Sequence, residues 1–193
     1  MPTGPRSTIV RLFVPAPLEG RRRALVLALH GAGGSENLFF DGYGDGLAQK
    51  LCAESGWILC APRSLNPADA PALLDALRER WDFDPQQVFL VGHSMGAAAA
   101  LAAAQRSPAR FAKVALLGGG GALTKAEVFR DLPLLIGTAE RDFARSGALA
   151  LRRGLRSAGI DRVTFLDLPR AEHMLVVQAA LPEVFAFFRA AGR

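Results

Sequence analysis

The sequence predicts an α/β protein: a mostly parallel sheet with helices on both faces. Three observations carry this. Short apolar runs alternate with longer segments of helical spacing along nearly the whole chain. The runs "ALVLALHG", "WILCAP" and "KVALLG" are apolar at almost every position, as strands buried on both faces are. The intervening segments are long enough to form the helical crossovers that parallel strands require.

The elements follow in order. Residues 8–14, "TIVRLFV", read as an extended strand closed by Pro15 and Pro17, and the segment before residue 24 could add an antiparallel edge. "LEGRRR" is a charged turn. "ALVLALHG" is the first fully buried strand, followed by the long glycine-rich loop "GAGGSENLFFDGYGDG". "LAQKLCAES" has helical spacing and Gly56 stops it. "WILCAP" is a second buried strand. "ADAPALLDALRERW" puts Leu73, Leu74 and Leu77 on one helical face, and "DFDP" is a turn because Asp84-Pro85 disfavours helix continuation. The pattern then repeats: strand "QVFLVG", helix "SMGAAAALAAAQR", strand "KVALLG", short helix "TKAEVFR", strand "LPLLIG", helix "ARSGALALRRGLRSAG" and strand "VTFLDL". The terminal helix is "LPEVFAFFRAA", with Pro182 in its first turn.

The 193 residues show no break in composition and no linker, so a single domain spanning 1–193 is expected. The net charge of +5 comes from 23 Lys and Arg against 18 Asp and Glu. These basic residues are scattered over turns and helix faces rather than gathered among aromatics, which argues against a nucleic-acid partner. No apolar run approaches the roughly 20 residues of a membrane helix. The N-terminal stretch lacks the apolar core of a secretory signal, so a cytoplasmic location is expected. Cys52 and Cys60 have no CxxC or metal-ligand spacing and are expected as buried reduced thiols. His30, His93 and His173 form no metal motif, and neither metal nor cofactor is expected.

The chemistry centres on "GHSMG", Gly92 to Gly96, a G-x-S-x-G sequence between a strand and a helix. A tight strand-to-helix corner strains the central residue and lifts its side chain clear, while the glycines two before and two after avoid the neighbouring backbone. Ser94 is thereby a candidate nucleophile at the positive end of the following helix. Acyl transfer through serine needs donors for a developing oxyanion. The Met95 N–H is one candidate, and the loop "HGAGG" offers the second at Ala32, with Gly33 next. A phosphate-binding role for that loop is disfavoured, because neither G-x-G-x-x-G nor G-x-x-x-x-G-K-[ST] is present.

The base is sought late in the chain, where "LDLPRAEHMLVV" places His173 after the last strand. His30 opens the oxyanion loop, and His93 sits on a turn expected to point it elsewhere. The acid is sought after the preceding strand, where "LPLLIGTAERDF" offers Glu140 and Asp142. Either carboxylate could fix the imidazole tautomer. Asp142 is preferred, as aspartate is the usual residue and the "DF" pair leads into a helix.

With "LHGAGG", "FDPQQVFLVGHSMGAAAA", "LLIGTAERDF" and "AEHMLV" in that order, the sequence resembles the α/β-hydrolase superfamily over nearly its whole length. Within it, the resemblance is to small bacterial esterases of the dienelactone hydrolase, feruloyl esterase and phospholipase/carboxylesterase groups. The resemblance implies Ser94 as nucleophile, Asp142 as acid and His173 as base. The chain departs from many relatives at Glu140, which occupies the acid's place in their G-T-x-D pattern. It departs again between Gly118 and Leu132, a stretch too short for the lid that many lipases insert there.

The expected activity is hydrolysis of small or short-chain carboxylic esters through an acyl-enzyme, with a small-molecule partner and no membrane partner. A thioesterase or small serine peptidase would use the same parts, and a ligand receptor with a slow triad is the reading from another class. In the loop "NLFFDGYG", Phe39, Phe40 and Tyr43 serve either as walls of an acyl pocket or as core.

Overall fold

The computed structural model describes residues 8–16 and 22–190. Its strands are β1 (Val10–Phe13), β2 (Arg23–Leu29), β3 (Ile58–Pro62), β4 (Phe83–His93), β5 (Lys113–Leu117), β6 (Leu134–Arg141) and β7 (Val163–Glu172). Its helices are α1 (Leu47–Ser55), α2 (Ala70–Arg78), α3 (Met95–Arg106), α4 (Arg145–Ser157) and α5 (Leu175–Arg189). Among the described residues the strands form one sheet in the order β1-β3-β2-β4-β5-β6-β7. β1 pairs antiparallel with β3 and every other pairing is parallel. The fold is thus the α/β arrangement the sequence predicts, with the antiparallel edge supplied by β1. Pro17 and residues 18–21 of the "LEGRRR" turn lie outside the described residues.

Strand periodicity sorts the core into two layers. Leu25, Leu27 and Leu29 of β2 face one way and pack with α2, α3 and α4, through residues such as Leu74, Leu101 and Leu151. Ala24, Val26 and Ala28 face the other way and pack with α1 and α5, through Cys52, Val184 and Phe185 among others. Side chains at i and i+2 share a face, so a strand apolar throughout must be covered on both sides. Cys52 and Cys60 are both free and buried within these layers, and burial raises the Cys60 thiol to about 12.

Two helices show what sets their position. The alanines of α3 (Ala97, Ala100, Ala103 and Ala104) are fully buried, and their small side chains let the helix lie close against the sheet. The last turn of α5 ends on a cation. The Lys113 ammonium donates to the carbonyls of Phe187 at 2.7 Å, Phe188 at 3.2 Å and Ala190. It satisfies carbonyls the helix end leaves without partners and opposes the negative end of the dipole.

Several boundaries differ from the sequence expectation: β6 and β7 each run four residues past "LPLLIG" and "VTFLDL", to Arg141 and Glu172. "DFDP" is not a turn: β4 begins at Phe83, which pairs with Arg23, and a register shift between Arg23 and Leu25 absorbs the irregularity around Pro85. "TKAEVFR" forms a 3₁₀ turn over Ala126–Arg130 rather than an α-helix. Pro182 is not in a first turn but inside α5, which starts seven residues earlier at Leu175. A proline inside a helix costs about 3 kcal/mol. Here Val176, Val177, Ala180, Leu181, Val184, Phe185 and Phe188 are all buried along the same helix and outweigh it.

Candidate active site

Ser94 stands between the last residue of β4 and the first of α3 with φ 55° and ψ −116°. That left-handed backbone costs on the order of 1–3 kcal/mol and persists only where its surroundings impose it. They do so here. A Cβ on Gly92 would lie 2.1 Å from the Gly96 carbonyl oxygen, and one on Gly96 would lie 2.1 Å from the Leu29 carbonyl oxygen. The Ser94 N–H donates to the Leu117 carbonyl at 2.9 Å, tying the corner to β5.

His173 follows directly on β7. Its Nε2 lies 2.9 Å from the Ser94 hydroxyl and its Nδ1 lies 2.7 Å from Oδ1 of Asp142. A carboxylate at Nδ1 only accepts, so Nδ1 carries the proton and Nε2 accepts from the serine hydroxyl. Asp142 stands just past β6 with a fully buried side chain, and its Oδ1 also accepts the Ala144 N–H at 2.8 Å. Glu140 is exposed, and its Oε2 accepts the Arg170 N–H at 3.1 Å. Of the two carboxylates, Asp142 is therefore the one brought to His173. Phe143 is exposed and lies against the His173 ring, with centroids 4.0 Å apart.

The glycine-rich loop comes up to the same corner. A Cβ on Gly31 would lie 3.2 Å from the Ser94 Cβ. Gly31 to Gly34 form a turn closed by a 3.1 Å hydrogen bond. Ala32 sits exposed in that turn and Met95 is exposed at the start of α3. Among the described residues neither N–H donates a hydrogen bond. His30 faces the carbonyls of Gly31 at 2.7 Å and Arg63 at 2.8 Å, linking the loop to the end of β3. Arg63 in turn holds Glu36 through two bonds of 2.8 and 2.5 Å, and this guanidinium keeps the Glu36 carboxyl low, at about 2.

His93 and Tyr43 have a part that the sequence reading missed. His93 is buried, and it points beneath His173 instead of away from the site. Its Nε2 donates to the His173 main-chain carbonyl at 3.0 Å, so its Nδ1 accepts the Tyr43 hydroxyl at 2.7 Å. Burial brings His93 down to about 4, and the neighbouring His173 pushes the same way. Burial raises the Tyr43 phenol to about 12, opposed by the adjoining Gly31 backbone. Both groups are thus neutral near pH 7. The signal was available: Tyr43 is the chain's only tyrosine, and a buried phenol needs a partner. Phe39, Phe40 and Tyr43 are all core, packed around a π-helical turn over Leu38–Gly42.

The class follows from the sheet order and from a serine on a glycine-flanked strand-to-helix corner: this is an α/β-hydrolase. The model of the alpha/beta hydrolase family matches residues 12–192, and the chain belongs to that family. A thermostable esterase superposes with a TM-score of 0.75 at 19% identity, over 93% of this chain and 58% of the other. This chain thus spans less than two thirds of that esterase's length. An S-formylglutathione hydrolase from Staphylococcus aureus gives a TM-score of 0.74 at 13% identity, over 94% and 98% of the two chains. A fluorophosphonate-binding serine hydrolase from the same organism gives 0.76 at 15%, over 97% and 100%. At these identities the likeness is one of fold. No curated protein matches the chain in sequence.

Among the described residues no cluster of His, Cys, Asp and Glu is arranged to hold a metal ion, and no helix is long and apolar enough to cross a membrane.

Proposed function

We propose that this protein is a single-domain serine hydrolase that cleaves small-molecule carboxylic esters through an acyl-enzyme. The observation that carries the reading is the line of two hydrogen bonds, 2.9 Å from Ser94 to His173 and 2.7 Å from His173 to Asp142. In this reading Ser94 is the nucleophile, His173 the base and Asp142 the acid. His173 Nε2 takes the Ser94 proton as Oγ attacks the ester carbonyl. Asp142 holds the ring in its Nδ1–H form and stabilises the imidazolium. The N–H groups of Met95 and Ala32 receive the oxyanion, where one lost donor costs about 10²–10³ in turnover. His173 then protonates the leaving alcohol, and water activated by the same ring releases the acid and frees Ser94.

The unlidded mouth supports a small substrate reaching the serine from solution. The two reduced thiols, Cys52 and Cys60, are in keeping with a cytoplasmic location. The test is hydrolysis of an aryl ester by wild type and Ser94→Ala, alongside labelling by a fluorophosphonate. Wild type is expected to turn over and label, and the variant to do neither. An unchanged rate in Ser94→Ala overturns the assignment.

A further inference from the structure

A groove of about 540 Å³ opens beside the Ser94 corner. His30, Met95 and Gly96, which border the serine, form one part of its wall. Leu73 and Ala76 of α2 and Ala99 of α3 form another, and the lining is mainly apolar. The small side chains of Ala76 and Ala99 keep the space between the two helices open. From Met95 to Ala99 the groove follows α3 for one turn, ~6 Å.

The geometry of the reaction assigns this space to one part of the substrate. A tetrahedral carbon on Ser94 carries four groups. The serine oxygen is one, and the oxyanion faces the Met95 and Ala32 N–H groups. The leaving oxygen must lie within reach of His173 Nε2, which approaches Ser94 from the β6–β7 side of the sheet. The remaining substituent is the acyl chain, which needs an apolar space beside the serine that neither His173 nor the leaving oxygen occupies. The groove offers such a space, against Leu29 and His30 at the end of β2 and Pro62 at the end of β3.

We infer that this groove is the acyl pocket, and that the preferred substrates carry an apolar acyl group of medium length rather than acetyl. The inference rests on the ester-hydrolase reading above and narrows its substrate class. It also changes the expectation of a short-chain substrate, which came from the missing lid alone. Each methylene transferred from water into such a groove is expected to raise kcat/KM about threefold to fourfold until the space is filled.

The experiment is a p-nitrophenyl ester series from acetate to octanoate with wild type, Ala99→Phe and Ala76→Phe. Ala99 is half-buried and Ala76 exposed, so each variant fills the groove without entering the core, which a thermal melt checks. Wild type is expected to gain roughly tenfold or more in kcat/KM from acetate to hexanoate. Each variant is expected to lose most of that gain and to stay within about threefold of wild type on acetate. A parallel series of acetates of different alcohols is expected to show no change in preference in either variant. The inference is overturned if wild type gains nothing with chain length, if the variants depress acetate and hexanoate alike, or if the alcohol series is the one that shifts. The two readings fail separately. Equal rates in wild type and Ser94→Ala sink the ester-hydrolase reading, whereas a Ser94-dependent rate blind to the groove variants sinks only the acyl assignment.

Discussion

His93 holds His173 by its backbone: the His93 Nε2–H donates to the His173 carbonyl at 3.0 Å from directly beneath. The Tyr43 hydroxyl fixes the other ring nitrogen at 2.7 Å, so the His93 tautomer depends on a residue in the glycine-rich loop. The proposed base and the loop carrying a proposed oxyanion donor are thereby joined below the surface. Tyr43→Phe removes one hydrogen bond and leaves the ring in place. It is expected to lower kcat by about threefold to tenfold, the equivalent of ~1 kcal/mol, with KM near wild type. A fall confined to thermal stability, with kcat unchanged, would show that the pair only fills space.

The same burial makes stability depend on pH. An unfolded histidine titrates near 6.5, whereas His93 in the folded chain is held down to about 4. Between these values the unfolded state binds a proton that the native state refuses. The stabilisation is therefore complete above about pH 6.5 and is lost as pH falls toward 4. The pKa difference sets an upper bound on the order of 3 kcal/mol. In His93→Gln, which cannot titrate, the melting temperature is expected to decline less steeply across this window than in wild type. Parallel declines would contradict the neutral buried state.

Of the two carboxylates, only Asp142 reaches His173, while Glu140 binds the Arg170 N–H at the surface. Asp142→Asn presents an amide to Nδ1 and favours the wrong tautomer, with an expected loss of about 10³–10⁴ in kcat. Glu140→Gln is expected to stay within about twofold, as surface substitutions do. Side-by-side turnover measurements decide it, and a larger loss in Glu140→Gln would reverse the assignment.

Lys113 carries the C-terminal end of α5, and α5 covers one face of the sheet. Lys113→Met keeps the stem and removes the donor, leaving several carbonyls unpaired at a largely buried position. A loss of about 1–3 kcal/mol in denaturant unfolding is expected, with kcat unaffected because the site lies at the other edge of the sheet. Wild-type stability in this variant would mean that the carbonyls find other partners.

What could be read in the sequence and what could not have different physical origins. The strands and helices were legible because period and composition are local: Leu25 to Leu29 alternate between two covered faces whatever lies beyond them. Ser94, Asp142 and His173 were legible because the chain order and the corner glycines constrain where such side chains meet. Pro182 misled because its position in α5 is settled by the apolar face on both sides of it, a tertiary effect that outweighs propensity. Phe83 reads as part of a turn in sequence because its strand pairing comes from Arg23, sixty positions away. The direction of His93 is not legible locally, because it depends on a phenol and a carbonyl that the sequence places far apart. The groove between α2 and α3 was invisible for a related reason: small residues that leave room look the same in sequence as small residues that pack.

Gln105 gives the open mouth a kinetic meaning. Its side-chain oxygen accepts the N–H groups of Thr124 at 2.6 Å and Lys125 at 2.8 Å, and its amide donates to the Ala122 carbonyl at 3.0 Å. The connection between β5 and β6 is therefore fastened to the last turn of α3 instead of being free to swing. Such a connection has no closed position to leave, so turnover carries no opening step. The rate with a dissolved substrate should rise smoothly with concentration, with no jump where that substrate begins to form micelles.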